Sequence, residues 1–125
     1  MLKNDQFSRW TGLTVIAVSS GHCEITCTTK AEMLNGFDIL HGGITYSLSD
    51  SALAFASNAH GYKCVSIETS ISHLRPIHLH EKLHVIANEV HRGKSIGIYE
   101  VTIHNEKKEL VSKFKGTVSI STDTW

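Results

Sequence analysis

Residues 43–60 read GITYSLSDSALAFASNAH, and this stretch decides the fold. Small and apolar residues fill it without the alternation that marks a strand. Apolar residues recur at spacings of three and four, which is typical of a helix packed on a sheet: Ile44, Leu48, Ala52, Phe55 and Ala59. The small Ala and Ser residues between them favour a close approach of the two layers. The sequence therefore predicts one long central helix.

Six strand-like segments flank this predicted helix, and a short amphipathic helix over residues 4–11 precedes them all. Two segments come before the central helix and four come after it, joined mainly by hairpin turns: 13–18, 22–29, 64–72, 82–90, 95–104 and 109–121. This order contains no internal repeat. It predicts an α+β fold in which a curved, mostly antiparallel six-stranded sheet surrounds one helix.

Two of the predicted strands carry finer signals. The strict alternation within residues 64–72 predicts that four side chains share one face of the sheet: Val65, Ile67, Thr69 and Ile71. Within residues 95–104 the apolar positions change parity after Ile98, which predicts a β-bulge near Tyr99.

Length and charge limit the classes of function. A chain of 125 residues has room for one domain, here residues 1–125. Twelve Lys and Arg balance twelve Asp and Glu, so the formal net charge is zero and no overall field favours nucleic acid or an anionic membrane. We expect neither nucleic acid nor membrane as a partner. Neutrality also removes the self-repulsion that would oppose association with a second copy.

The cysteines and the N-terminal sequence indicate the compartment. The three cysteines are odd in number and have neither CxxC nor zinc-ribbon spacing, so we expect reduced, buried thiols: Cys23, Cys27 and Cys64. The first ten residues, MLKNDQFSRW, contain no apolar segment of signal-peptide length. These features predict a cytoplasmic protein.

Two features of the central helix point to chemistry. Gly42 and Gly43 open the helix, where unpaired backbone N–H groups and the positive dipole end can bind a polarised carbonyl or an oxyanion. Two turns later, Asp50 lies among Ser, Ala, Leu and Phe, where a carboxylate is costly unless it is solvated or functional. The sequence thus offers an electrophile site and a candidate base or nucleophile.

The spacing of these two features has a geometric consequence. Asp50 follows Gly43 by seven residues, so both lie nearly on one helical face but about 10 Å apart along the axis. Both groups of a hydrolytic centre must lie within about 3 Å of the reacting atoms. The simplest arrangement is a symmetric dimer in which the amides of one subunit face the carboxylate of the other.

At this point the sequence resembles the hotdog-fold acyl-CoA thioesterases, and most closely their PaaI-like, phenylacetate-degradation branch. The resemblance covers essentially the whole chain and rests on an ordered set of motifs: Met33-Leu34-Asn35-Gly36, His41-Gly42-Gly43, Leu48-Ser49-Asp50-Ser51-Ala52 with Ala54, and Leu74-Arg75-Pro76. One departure is Ser49-Asp50-Ser51, where many relatives have Ala-Asp-Thr. The resemblance implies a hotdog fold, with a long helix wrapped by an antiparallel sheet.

The resemblance also implies roles for individual residues. Asp50 would act as general base or nucleophile, and the backbone N–H of Gly42 would polarise the thioester carbonyl from the opposite subunit. Asn35 would position substrate or water. His41 would lie near the thioester, and Ser66 would orient the attacking water. The implied activity is hydrolysis of an acyl-CoA, with an aromatic or a short or medium-chain acyl group, by a homodimer or a homotetramer built from dimers. No cofactor is implied, since coenzyme A is part of the substrate.

Positive side chains are candidates for binding coenzyme A. Arg75, Arg92 and Lys94 fall at predicted strand ends, where they can meet the phosphates, and Gly43 joins them as a substrate-binding candidate at the helix start. The alternative for the three cations is that they are solvated loop charges.

Each site residue also has a structural interpretation. Asp50 can be a solvated helix carboxylate, Asn35-Gly36 a turn, His41 a polar contact at the helix start and Ser66 an ordinary strand serine. The His78-Leu79-His80 run can hold a metal ion if it lies on a strand, but no third ligand completes the set, and we expect no metal site.

The whole chain has functional alternatives as well. The runner-up function is a non-catalytic acyl-CoA-binding hotdog module. A hotdog dehydratase is a third possibility, which would require a His and acid pair in a different arrangement.

Overall fold

The computed structural model describes residues 2–125. It contains two α-helices and six strands: α1 (Gln6–Thr11), α2 (Gly42–Asn58), β1 (Thr14–Ser19), β2 (His22–Thr28), β3 (Tyr62–His73), β4 (Lys82–Arg92), β5 (Ile96–His104) and β6 (Leu110–Thr124). Short 3-10 turns span Leu2–Asn4 and Ala31–Met33. The predicted order of elements is confirmed, and the bounds differ from the predicted ones by a few residues.

The short first helix is held by its two ends. The side chain of Asp5 accepts a hydrogen bond from the backbone N–H of Ser8 at 3.0 Å, which is an N-cap. Gly12 ends the helix with a positive φ of 74°, a left-handed conformation that glycine adopts without strain. The predicted helix over residues 4–11 therefore begins slightly later, at Gln6.

All six strands form one sheet with the order β1-β2-β4-β5-β6-β3, and every neighbouring pair is antiparallel. The edges are therefore β1 and β3. Helix α2 packs against all six strands, because the sheet curves around it. This confirms the predicted architecture. Within residues 2–125, no helix combines the length and the apolar character that crossing a membrane requires.

The core lies between α2 and the concave face of the sheet. The predicted apolar stripe is buried in its middle: Leu48 and Ala52 have no exposed surface, whereas Ile44 is partly buried and Ala59, just after α2, is exposed. Gly116 on β6 lets the helix sit close, since a Cβ placed there would lie 2.3 Å from Cδ1 of Leu53. The expected close approach of α2 to the sheet is thus found at Gly116, where the sheet has no side chain.

The predicted bulge near Tyr99 in β5 is wrong, and the irregularity lies in the neighbouring strand β4. In β5 the inward positions alternate without interruption, with Tyr99 fully buried, and the register shift lies across from it in β4, between Glu89 and His91. Ile96 and Ile98 belong to the outward face of β5. The parity change in the sequence therefore reflects apolar side chains on the outer face, and no bulge in β5 itself is needed to explain it.

The predicted face of β3 is also wrong in part. The pairing of β3 with β6 shifts register between Ser66 and Glu68, which leaves Ile67 as an extra residue in the strand. Ser66 pairs with the buried Val118 and so faces α2, whereas Val65 faces outward and is 67% exposed. Beyond the bulge the inward parity changes to Thr69, Ile71 and His73.

Candidate active site

The start of α2 presents one free backbone donor. His41 is the N-cap residue, and its Nδ1 accepts the backbone N–H of Gly43 at 2.8 Å. The backbone N–H of Ile44 bonds to the carbonyl oxygen of His41 at 2.9 Å. The N–H of Gly42 has no hydrogen-bond partner within residues 2–125. Of the two glycines, Gly42 is therefore the one that can donate to a ligand.

A cavity of about 380 Å³ opens beside this donor. Gly42 lines it together with two other residues predicted from the sequence, Asn35 and Arg75. The remaining lining residues come from the loop before α2, the first turn of α2, the end of β3 with the loop that follows it, and the start of β6: Ile39, Leu40, Thr45, His73, Leu74, Pro76, Ile77 and Val111. The structure thus brings a backbone donor, an amide and a cation to one cavity.

Asn35 is held by a tight turn. Its side-chain oxygen accepts the backbone N–H of Phe37 at 2.9 Å, and its backbone N–H donates to the carbonyl oxygen of Ile39 at 2.8 Å. The side-chain Nδ2 has no partner within residues 2–125. The turn and the site interpretations of Asn35 are compatible, because the oxygen serves the turn and the NH₂ group is left to donate.

His73 is a cavity residue that the sequence analysis missed. Its Nε2 would lie 3.0 Å from a Cβ placed on Gly42, and its Nδ1 lies 3.3 Å from Oγ1 of Thr45. The signal that identifies His73 is the strand register beyond Ile67, which places it on the same inward face as Thr69. The strand predicted from the local sequence, residues 64–72, ends one residue before His73.

Arg75 is fixed by a neighbouring carboxylate at the mouth of the cavity. Its Nη1 lies 3.2 Å from Oε2 of Glu109, and both side chains are partly exposed. The side chain of Asn105 donates to Oε1 of Glu109 at 3.0 Å. This hydrogen bond, followed by the positive charge of Arg75, holds the pKa of Glu109 below its ordinary value. The second carboxylate oxygen of Glu109 is thereby kept towards Arg75.

Asp50 lies outside this cavity. It follows Gly42 by eight residues on α2, which is about 12 Å along the helix axis. Its half-buried carboxylate has no hydrogen bond or ion pair among the described residues of the chain. Asp50 and the Gly42 donor are therefore far apart within one chain. The helical geometry had predicted this separation.

Ser66 lies at the level of Asp50. Two contacts fix α2 against β3: the Tyr46 hydroxyl bonds to the Thr69 hydroxyl, and the Asn58 side chain bonds both the N–H and the carbonyl of Cys64. Interpolation between these contacts, with 1.5 Å per helical and about 3.3 Å per strand residue, places Asp50 opposite roughly residue 67. Ser66 faces inward there, so it lies on the same side of the sheet as α2.

Arg92 and Lys94 lie at the other end of the sheet. Arg92 pairs with Gly97, which in turn pairs with Val118 on β6, seven residues and about 23 Å from the cavity residue Val111. Lys94 is exposed in the turn that follows β4. Within one chain neither cation reaches the cavity that contains Gly42.

The half-buried Arg92 belongs to an internal polar cluster. Glu89 accepts hydrogen bonds from the Tyr99 hydroxyl and from His60, both at 2.8 Å. Burial by itself raises the pKa of Glu89, but these hydrogen bonds and the charges of His60 and Arg92 outweigh it, so the pKa is lowered. Burial, followed by the bond to Glu89, raises the pKa of Tyr99. This cluster joins the end of α2 to the sheet.

The histidine run considered for a metal does not lie on a strand. Residues 78–80 form part of a turn between β3 and β4, and His80 has a positive φ of 63°. The alternation that would place two imidazoles on one face is therefore missing. Among residues 2–125, no three His, Cys, Asp or Glu side chains cluster as a metal site would require.

Comparison with known proteins places this geometry in a family. The model of the thioesterase superfamily matches residues 37–112, which include the start of α2, Asp50 and Arg75. The acyl-coenzyme A thioesterase PaaI of Escherichia coli K12 is 35% identical over 116 residues, which cover 93% of this chain and 83% of that protein. The human acyl-coenzyme A thioesterase 13 is 28% identical and aligns with 85% of this chain and 78% of its own length.

Solved structures of similar fold point to the same family as the sequence relatives. The structure of E. coli PaaI, from the phenylacetic acid degradation operon, superposes with a TM-score of 0.97 at 34% identity, covering 99% of this chain and 90% of that one. The smu.793 protein of Streptococcus mutans, solved bound to acetyl CoA, gives a TM-score of 0.88 at 25% identity, with 90% and 91% covered. The predicted hotdog fold is confirmed. The chain belongs to the thioesterase superfamily and is similar to PaaI within it.

Proposed function

We propose that this protein is an acyl-CoA thioesterase that hydrolyses its substrate to a free acid and coenzyme A. The observation that carries the proposal is the unpartnered N–H of Gly42, at the start of a 17-residue helix and in a cavity shared with Asn35 and Arg75. A donor of this kind stabilises the oxyanion that forms when a thioester is attacked. No cofactor takes part, because coenzyme A belongs to the substrate.

The proposed mechanism divides the chemistry between two subunits. The thioester oxygen accepts the Gly42 N–H, and the NH₂ group of Asn35 orients the substrate or water beside it. Asp50 of a second copy acts as base towards water or as nucleophile, and Ser66 beside it orients the water. His41 serves this site by holding Gly43 through its N-cap hydrogen bond, which leaves the neighbouring Gly42 amide exposed to substrate.

Two features support a dimer as the active unit. Asp50 lies about 12 Å along the helix from Gly42, which is too far for both to act on one carbon within one chain. Strand β3 is a 12-residue edge whose outer backbone groups have no partner strand within residues 2–125. If two such edges pair antiparallel about a centre near Ser70, Ser66 and Asp50 of one copy approach Gly42 and His73 of the other.

The phosphates of coenzyme A require cations. Arg75 is the proposed contact, since it lines the cavity and is more than half exposed. Arg92 and Lys94 contact the same coenzyme A only when another subunit supplies them, and Arg92 is half-buried beside Glu89 and Tyr99. Lys94, with its exposed side chain, is the better of these two candidates.

Free-thiol release from a panel of aromatic, short and medium-chain acyl-CoAs tests the activity. We expect turnover by the wild type and a loss of 10²-fold or more in kcat for Asp50→Asn, with little change in acyl-CoA binding. Asp38→Asn is a matched control, because Asp38 is an exposed carboxylate at a positive φ of 59°, which asparagine also adopts. If both the wild type and Asp50→Asn bind acyl-CoA without releasing thiol, the binding-module function replaces this proposal.

Mixing two variants of strongly reduced activity tests the shared site. Gly42→Ala adds a methyl group that would lie 3.0 Å from Nε2 of His73, beside the proposed oxyanion donor, and Asp50→Asn removes the base. When equal amounts of the two variants exchange subunits at random, half of the dimers are mixed and each mixed dimer holds one intact site, so about a quarter of wild-type activity returns. Failure of any activity to return, in a sample shown to contain mixed dimers, refutes the division between subunits.

A further inference from the structure

His73 is a titratable side chain packed directly against Gly42 in the cavity. A Cβ on Gly42 would lie 3.0 Å from Nε2 and 3.2 Å from Cε1 of His73, so the ring contacts the glycine itself. The amide nitrogen of a residue and its Cβ position are about 2.5 Å apart, and Nε2 is therefore within about 5.5 Å of the Gly42 nitrogen. The imidazole therefore lies beside the donor that a bound carbonyl would use.

Thr45 determines which ring nitrogen of His73 is the acceptor. The Thr45 hydroxyl donates to the carbonyl oxygen of Gly42 at 3.0 Å. Its oxygen is then the acceptor for Nδ1–H of His73, at 3.3 Å. In this tautomer the lone pair of the neutral ring is on Nε2, on the side of Gly42 and the cavity. Thr45 is 3% exposed, so the residue that orients the ring is itself fixed in the core.

We propose that Nε2 of His73 is a second proton acceptor for the attacking water, supplied by the same subunit as the Gly42 donor. This inference rests on the proposed thioesterase function. Asp50 reaches a Gly42 donor only from another copy, whereas His73 and Gly42 line one cavity of one chain. A base within a few ångströms of the oxyanion donor is the arrangement that hydrolysis of an ester-like bond requires.

The step balances without any further reactant. Nε2 takes one proton from water while the water oxygen forms a bond to the thioester carbon, and the carbonyl π electrons move to the oxygen held by Gly42. Collapse of the tetrahedral intermediate breaks the C–S bond. The imidazolium returns its proton to the departing sulfur, which gives the carboxylic acid and the thiol of coenzyme A. The carboxylic acid then ionises in water.

The test removes the two bases separately and together. In the Asp50→Asn background a residual rate remains, and we expect His73→Ala to lower its kcat by at least a further tenfold. His73→Asn should have the same effect, because the asparagine amide keeps a donor for Thr45 but has no basic nitrogen. Added imidazole should restore thiol release to the His73→Ala variants and not to His73→Asn, whose side chain fills part of the space. Thermal unfolding of each variant confirms that it is folded.

The outcomes separate this inference from the proposed function. If the wild type releases no thiol from any acyl-CoA, the proposed function fails. If the wild type is active but Asp50→Asn has no residual rate, or if His73→Ala leaves that residual rate unchanged, the role of His73 is refuted. A His73→Ala defect that appears only in KM, without imidazole rescue, also refutes it, because it assigns the ring to substrate binding alone.

Discussion

Gly116→Ala is a direct test of how closely α2 sits on the sheet. The added methyl would lie 2.3 Å from Cδ1 of Leu53 and 3.1 Å from Cε1 of Phe114, and both of those side chains are buried. Contacts that short force Leu53 from its position or lift the helix. Leu53 lies three residues after Asp50, so the perturbation acts on the part of α2 that carries the proposed base.

The expected size of the effect follows from the packing. Overpacking of a filled core costs about 1–3 kcal/mol. An unfolding entropy of about 2.1 cal/mol/K per residue gives a 125-residue chain about 0.26 kcal/mol/K, so the midpoint of thermal unfolding should fall by roughly 4–12 °C. Gly36→Ala is the control: a Cβ there meets nothing within 4 Å and φ is not positive, so we expect a change of less than about 1 kcal/mol.

A second background distinguishes the contact from a general effect of the substitution. Leu53→Val shortens the side chain that the new methyl would strike. In that background Gly116→Ala should cost at least about 1 kcal/mol less than in the wild type, measured by calorimetry and by urea unfolding. The reasoning is refuted if Gly116→Ala leaves the unfolding midpoint within 2 °C of the Gly36→Ala control, or if its cost is the same in both backgrounds.

Three further predictions concern buried and half-buried polar groups and thiols. Asn58→Ala should lower the free energy of unfolding by about 2–4 kcal/mol in urea titrations, since Asn58 bonds both backbone groups of Cys64 and its loss leaves a buried N–H unpaired. Because the pKa of Glu89 is lowered on folding, its charge stabilises the protein above the unfolded pKa. The difference in unfolding midpoint between wild type and Glu89→Gln should therefore shrink as pH falls from 7 to 3; a constant difference contradicts this. Burial raises the pKa of Cys23 to about 11, so a thiol reagent at pH 8 should label it only after unfolding.

The features that the sequence predicted well are those set by local periodicity. The helical stripe from Ile44 to Phe55 spans three turns, and the alternation of β2 is set by Cys23, Ile25 and Cys27, all of which are buried. The hairpin turns follow from short polar segments between such runs. These signals are repeated over many residues, so single exceptions such as the exposed Ala59 do not obscure them.

The features that local sequence did not predict depend on pairing between distant segments. The face that each part of β3 presents is set by β6, about 50 residues later in the chain, and an alternating sequence is compatible with either parity. The sequence placed Arg92 at a strand end, as a coenzyme A contact or a solvated loop charge. In the structure it is half-buried, beside Glu89 and Tyr99 on the inward faces of neighbouring strands. Such relations appear only when the strand registers are known.

The bulge at Ile67 gives β3 two candidate site residues on one face. Ser66 and His73 are seven positions apart, so in a regular strand they would point to opposite sides of the sheet. The extra residue changes the parity once, and both side chains then face inward: Ser66 at about the level of Asp50 and His73 against Gly42. The two positions are about 23 Å apart along the strand, so they belong to different halves of the proposed site. An irregularity of one residue thus allows a single edge strand to serve both the donor end and the carboxylate end of the helix.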